Sequence, residues 1–333
     1  MPGQPALRPG TCWLSQTRGN LAEGKPLPGA ARLGVASQRR RFVRKLKSSL
    51  PWYPFIFVNI VVFVVFNFVP WISMLQISFQ ETDLLSFRKF VGLGNYLALF
   101  QDKLLGVALS NTFLYALMYV PPTAAFSLFV AILVNRKIFG AHIFRAAYFL
   151  PNITSISVIC LVFLRFLSPR PDAPANYLLG LLGIPPQRFL VSVEQALPSL
   201  AGLGLWESFG YYMLIWLAGL QGIPSELYDA ALVDGASGWR LHRYVTIPLL
   251  RPTAAFILVV STIGALQVFG SIYIMTGGGP VYATTTVVYY IYQQAFILGK
   301  FGFSSTISIL LFLIILAITY LQGRYLRFGE EVY

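Results

Sequence analysis

The chain has 333 residues, 56% of them hydrophobic and 11% charged; a soluble domain carries about a quarter charged residues, so a water-soluble globule of this composition would lack polar surface to cover itself. Its net charge of +13 does not point to nucleic acid, because the basic residues cluster between apolar runs instead of forming one face. Cys12 and Cys160 lie far apart without metal-ligand spacing, and no disulfide is expected.

Residues 1–50 are rich in Pro, Gly, Arg and small residues and contain no apolar run. They read as a basic, largely disordered cytoplasmic extension. The apolar stretch that follows is long enough to span a bilayer and shows no cleavage site, so it is expected to stay in the protein. No charge stands between Lys47 and Glu81, Lys103 and Arg136, Arg251 and Lys300, or Lys300 and Arg324. A crossing needs roughly 20 apolar residues. Six spans are predicted in residues 51–333, near Tyr53–Ile77, Leu109–Val134, Ala146–Phe166, Leu200–Leu220, Thr253–Met275 and Phe303–Leu321.

Basic residues orient these spans. Arg39, Arg40, Arg41, Arg44, Lys45 and Lys47 precede the first, which places the N-terminus in the cytoplasm. Alternation then puts Arg136, Lys137, Arg145, Arg240, Arg243, Arg251, Arg324 and Arg327 on the same side, and Arg88, Lys89, Lys103, Arg165, Arg170, Arg188 and Lys300 on the other. Both termini are therefore expected to be cytoplasmic. Trp52, Tyr53, Trp71 and Tyr325 sit near span ends, as an aromatic belt requires. Pro70, Pro121, Pro122 and Pro151 fall within spans. Each removes a backbone donor and bends its helix, which suits simple packing kinks as well as a bundle around a path.

The segment after the fourth span is polar. Pro224 suits a first helical position. Leu227, Ala230, Ala231 and Val233 follow helical spacing, and Gly235 suits the C′ position of a short helix. A second short helix is expected from Ser237 to Val245, stopped by Pro248. An ordinary amphipathic loop fits these residues equally well.

Asp229, Ala230, Ala231, Gly235, Val245, Ile247 and Pro248 also carry a resemblance. Their spacing resembles the cytoplasmic loop of permease subunits of binding-protein-dependent ABC importers: Glu-Ala-Ala, three residues, Gly, nine residues, an aliphatic, one residue, an aliphatic, Pro. Asp229 departs from the family's Glu, keeping the charge with a shorter reach. Phe90-Val91-Gly92-Leu93-Gly94-Asn95-Tyr96, Phe144-Arg145 through Phe149-Leu150-Pro151, Thr276-Gly277-Gly278-Gly279-Pro280 and Tyr289–Phe296 resemble the sugar-uptake branch, relatives of the maltose and glycerol-phosphate permeases. The likeness runs from about Trp52 to Arg327.

The resemblance implies an all-α integral membrane protein with the six-transmembrane-helix ABC importer permease fold. The loop 223–250 would be the coupling helix, with Glu226, Asp229, Ala230, Ala231, Asp234, Gly235 and Pro248 engaging an ATPase groove. The implied function is import of a sugar, oligosaccharide or related polyol across a prokaryotic plasma membrane. The implied partners are a second permease chain, two ATPase subunits and an extracytoplasmic solute-binding protein, in a lipid bilayer and without nucleic acid. No G-x-x-x-x-G-K-[ST] loop, H-E-x-x-H, C-x-x-C or serine-nucleophile pattern occurs. No catalysis and no cofactor are expected on this chain, with ATP and Mg held by the partner ATPase. His142 and His242 are expected in surface roles.

Glu207 is the one ionisable residue well inside a predicted span, about 10 Å from the start of the span at Leu200 by helical rise. Buried carboxylates in membranes usually face a cavity or a partner. With Trp206, Tyr211 and Tyr212 it is expected on the substrate path, rings stacking on sugar faces and the carboxylate accepting hydroxyl protons. A structural carboxyl paired with another subunit, or one near the interface, remains open. So does an ion-gradient-driven secondary transporter, which would need midplane ionisable groups.

Overall fold

The computed structural model describes residues 52–82, 89–135 and 140–326. The expected extension over residues 1–50 and Cys12 lie outside these. The chain divides into two units, Met1–Trp71 and Ile72–Tyr333. Helix α1, Tyr53–Ser78, is long and apolar enough to cross a membrane. Within it Val64–Phe68 winds as a π-turn just before Pro70. Asn67 Nδ2 donates to the Phe63 carbonyl at 3.0 Å, supplying a donor in the turn that Pro70 disturbs.

In the second unit a short hairpin pairs β1, Gln80–Glu81, with β2, Lys89–Phe90. There follow α2, Gly94–Gln101, and α3, Lys103–Val134. Asp102 caps α3 by accepting from the Leu104 and Leu105 amides at 2.9 and 3.1 Å. Pro121 and Pro122 lie inside α3 without ending it.

The third expected span is not straight. Helix α4, Ala141–Ile153, and α5, Ile156–Phe166, meet at an angle of 94°. Pro151 cannot donate to the preceding turn, and Thr154 and Ser155 leave helical geometry with ψ near 142° and 127°. Next come α6, Pro174–Leu181, and α7, Ala196–Gln221. Between α5 and α6, Arg170 and Asp172 form an exposed fork-to-fork pair with two contacts of 2.9 Å. The Arg170 hydrogen bonds hold the Asp172 carboxyl below its usual range.

After α7 come α8, Ser225–Val233, then α9, Arg251–Leu266, α10, Gly270–Met275, α11, Val287–Tyr292, and α12, Phe301–Tyr325. Among the described residues four helical stretches are long and apolar enough to cross a membrane, or five if α4 and α5 count as one span. The expected fourth span, within α7, is not among them. Its composition is the reason, since Glu207, Trp206, Ser208, Tyr211, Tyr212 and several glycines dilute its apolar residues; the helix packs on α3, α4 and α9 and buries Leu200, Leu203, Met213 and Trp216. A helix facing protein need not present lipid-compatible residues all round.

Three glycines let the neighbours approach α7. A side chain at Gly204 would meet the Tyr115 hydroxyl of α3 at 2.6 Å. One at Gly219 would meet Thr253 Oγ1 of α9 at 2.5 Å, and one at Gly210 would overlap the Tyr148 carbonyl of α4. Apolar burial drives little association between helices in lipid, so close contact through small residues and interhelical hydrogen bonds must do so. Trp216 Nε1 supplies such bonds, donating to the Ala124 carbonyl at 3.2 Å and to Ser127 Oγ at 3.1 Å across the α3 interface. A second core joins Leu105 and Ala108 of α3 to Val287 and Tyr290 of α11 and Ile307 and Leu311 of α12.

Candidate functional site: a projecting loop and a carboxylate-lined cavity

The loop after α7 folds as two helical pieces with a turn at Gly235. Pro224 is the residue before α8, with ψ of 136°, and Ser225 takes the first helical position instead. Glu226 lies in the first turn, where it complements the helix dipole. At the other end the Ala236 amide donates to the Ala231 carbonyl at 2.9 Å and the Gly235 amide to the Leu232 carbonyl at 3.1 Å. These two bonds form a Schellman cap, which needs a left-handed residue at C′. Gly235 has φ of +79°.

The second piece runs through 239–249 and does not stop at Pro248. His242–Thr246 is wound as a π-turn, and the Ile247 amide donates to the His242 carbonyl. This wider turn accommodates the proline ring, and the helix breaks at Leu250 instead. Thr246, fully buried, ties the pieces together: its hydroxyl lies 3.2 Å from the Tyr228 hydroxyl and 3.2 Å from His242 Nδ1. His242 is thus half-buried and bonded, while His142 is exposed.

Burial divides α8 into two sides. Tyr228 and Ala231 are half-buried. Glu226, Asp229, Ala230 and Val233, at spacings of 3, 4 and 7, form an exposed stripe. Asp234 and Gly235 are exposed and Pro248 is half-buried. Among the described residues the one ion pair is Arg170–Asp172, so Glu226, Asp229 and Asp234 make none. Leu232, Val233, Trp239 and Tyr244 are also exposed, Val233 to 88%. The loop is tied together from within by the Thr246 contacts and the Gly235 cap and leaves carboxylates and apolar side chains exposed.

The second site lies between α3 and α7. A cavity of about 250 Å³ is lined by Tyr115, Tyr119, Gly204, Glu207, Ser208 and Ser271 among others. Helix α7 begins at Ala196, so Glu207 lies about 16 Å along it at 1.5 Å per residue. Tyr115 and Tyr119 stack with centroids 5.8 Å apart, and the Tyr119 hydroxyl lies 2.8 Å from Ser208 Oγ. Ser208 in turn donates to the Gly204 carbonyl at 2.7 Å. Glu207 is half-buried and makes no hydrogen bond or ion pair among the described residues.

The other residues expected on the path sit around this cavity and do not line it. Trp206 packs on Phe163 with centroids 5.0 Å apart. Tyr211 and Tyr212 meet edge to face at 5.2 Å. Tyr115, Tyr119 and Ser271 escape sequence reasoning because their helices meet α7 only in the fold. The one signal is the spacing of Tyr115 and Tyr119, four residues apart on one face of an apolar helix. Among the described residues no group of His, Cys, Asp and Glu is arranged to hold a metal.

Comparison with known proteins bears on the chain as a whole. The family described as "Binding-protein-dependent transport system inner membrane component" matches residues 90–328. The arabinooligosaccharides transport system permease protein AraP of Halalkalibacterium halodurans is 33% identical over 286 residues, covering 84% of this chain and 90% of that protein. The trehalose/maltose transport system permease protein MalF of Thermococcus litoralis is 31% identical over 280 residues, covering 84% and 94%. A solved bacterial alginate ABC transporter, in complex with an alginate pentasaccharide-bound periplasmic protein, contains a chain of similar fold. The match has a TM-score of 0.76 at 23% identity and covers 87% of this chain and all of that one.

Proposed function

This chain belongs to the family of binding-protein-dependent transport system inner membrane components, and from that premise we propose that it forms half of the translocation path of an ATP-driven importer of oligosaccharides or related sugars. It is a transport component rather than an enzyme, and membership replaces the ion-gradient alternative. The observation that carries the reading is the loop 223–250: a two-piece helical loop whose carboxylates form no ion pair among the described residues. Such a surface suits a groove on a separate ATPase, which would bind ATP and Mg itself. A second, different permease chain would complete the path, and an extracytoplasmic solute-binding protein would deliver the sugar. The cavity at Glu207 is the proposed substrate contact. The sugar class rests on the likeness to carbohydrate permeases.

The test is uptake in proteoliposomes holding this chain, its partner permease and the ATPase, with the binding protein outside. We expect ATP-dependent, binding-protein-dependent accumulation of an oligosaccharide from a panel. Uptake driven by a proton or sodium gradient without ATP would overturn the proposal.

Orientation carries its own prediction. Both termini and the loop from Gly222 to Pro252 should be cytoplasmic, because basic residues gather on that side. In a cysteine-free background, a membrane-impermeant thiol reagent on intact cells should label a cysteine at Ser168 and spare one at Ser225. The reverse pattern would refute this topology.

A further inference from the structure

A second cavity among the described residues is larger than the one at Glu207. It measures about 790 Å³ and lies where the hairpin, α2 and the starts of α3 and α12 converge. Helix α2 is two-sided there. Leu93, Leu97 and Phe100, at spacings of 4 and 7, are exposed by 63, 64 and 89%. Asn95, Ala98 and Gln101, on its other side, line the cavity. An apolar face of this kind beside the end of a long apolar helix lies naturally in a membrane interface.

The cavity wall is polar and of mixed charge. Glu81 and Asp102 stand in it with Lys89 and Lys300, and none of the four forms an ion pair among the described residues. The Tyr290 hydroxyl donates to Asp102 Oδ2. Gln294, on the same wall, is only 6% exposed. Gln294 Oε1 and the Oγ1 of Thr82, which also lines the cavity, are buried without a partner among the described residues. A buried acceptor left unpaired is costly, so the site calls for a ligand that donates hydrogen bonds.

The ligand must therefore combine an N–H donor of positive charge, an anionic group and an apolar tail. We infer that this cavity takes the headgroup of an aminophospholipid, with the ethanolamine ammonium toward Glu81 and Gln294 Oε1, the phosphate toward Lys89 and Lys300, and the acyl chains along Leu93, Leu97 and Phe100. Phosphatidylcholine fails this specification because a quaternary ammonium has no N–H to give. Phosphatidylglycerol fails it because it brings no cation to Glu81.

The assembled complex, purified in mild detergent, tests the inference by mass spectrometry of the lipids that remain bound. Phosphatidylethanolamine should be enriched about tenfold over its share of the membrane extract, a ratio that one charge-assisted hydrogen bond supports. Glu81→Gln and Lys300→Gln, both at exposed positions, should bring that ratio to the bulk value, and Lys300→Arg should keep it. In nanodiscs, spin-labelled phosphatidylethanolamine should show a motionally restricted fraction that the choline analogue with the same chains lacks. Bulk-like lipid composition in the wild type overturns the inference. So does displacement of the spin label by soluble glycerophosphoethanolamine, which would assign a soluble ligand. Cross-linking of a cysteine at Ala98 to another subunit would assign the cavity to a protein contact and overturn it as well.

Discussion

Gly235→Val is expected to abolish coupled transport while leaving the chain in the membrane. Gly235 has φ of +79° and open space around the position of a Cβ, so a side chain there clashes with nothing and acts only through the backbone. Holding an L-residue in the left-handed region costs roughly 1–2 kcal/mol, and a β-branched residue is worse suited still. Helix α8 has nine residues, and helices shorter than about 12 residues are marginal on their own. Loss of the Schellman cap should therefore unwind its last turn and displace the exposed stripe. The order expected is Gly235→Asn mildest, Gly235→Ala intermediate and Gly235→Val most severe, because asparagine tolerates the left-handed region. Substrate-stimulated ATP hydrolysis should fall about tenfold or more for Val, taking roughly 1.4 kcal/mol per decade. Asp229→Lys should do the same by charge reversal in the groove, and Asp229→Glu should retain coupling. The readouts are stimulated ATPase, pull-down of the ATPase subunit and membrane abundance. Full transport with normal ATPase association in both Gly235→Val and Asp229→Lys would remove the loop from the coupling role.

The loop was legible in the sequence because its signals are local. A helix ending at a glycine needs only the chain around Gly235, and its left-handed conformation is what a Schellman cap requires. The stop expected at Pro248 failed for a reason of equal locality, since the π-turn over His242–Thr246 is not encoded in propensity. The bend between Ile153 and Ile156 has its cause in Pro151, yet Pro121 and Pro122 lie in an uninterrupted helix. A proline marks a weak point, and only the surrounding packing decides whether the helix breaks there. The helices begin earlier than the predicted spans, at Lys103 instead of Leu109 and at Ala196 instead of Leu200. Tyr115, Tyr119 and Ser271 were invisible because the cavity is made by the crossing of α3, α7 and the segment before α10, a tertiary fact with no sequence period. The apolar run from Leu200 to Leu220 reads as a span like the others, whereas α7 as a whole falls outside the set of helices apolar enough to cross and packs on α3, α4 and α9.

Glu207→Gln is expected to weaken transport by about one to two powers of ten, since a hydrogen bond to a charged group contributes roughly 1.5–3 kcal/mol net and 1.4 kcal/mol is tenfold. The substitution keeps the shape and one acceptor and removes the charge. Glu207→Ala should be worse, because it also removes the remaining acceptor. The geometry makes a contact with substrate testable apart from a structural role. Glu207 makes no hydrogen bond or ion pair among the described residues, so its removal breaks no internal contact of that kind and should leave the fold of this chain intact. Gly204, Tyr119 and Ser208 behave differently, being tied to one another by packing and by bonds of 2.7 and 2.8 Å. Tyr119→Phe should therefore lower the yield of folded chain, whereas Glu207→Gln should not. If Glu207 contacts the sugar, complex assembly and basal ATP hydrolysis survive in both Glu207 variants while the apparent affinity or the ranking of sugars changes. If it pairs with another subunit instead, both variants lower the amount of assembled complex and the sugar ranking stays fixed. Normal uptake of the cognate sugar by Glu207→Ala would exclude the carboxylate from the path altogether.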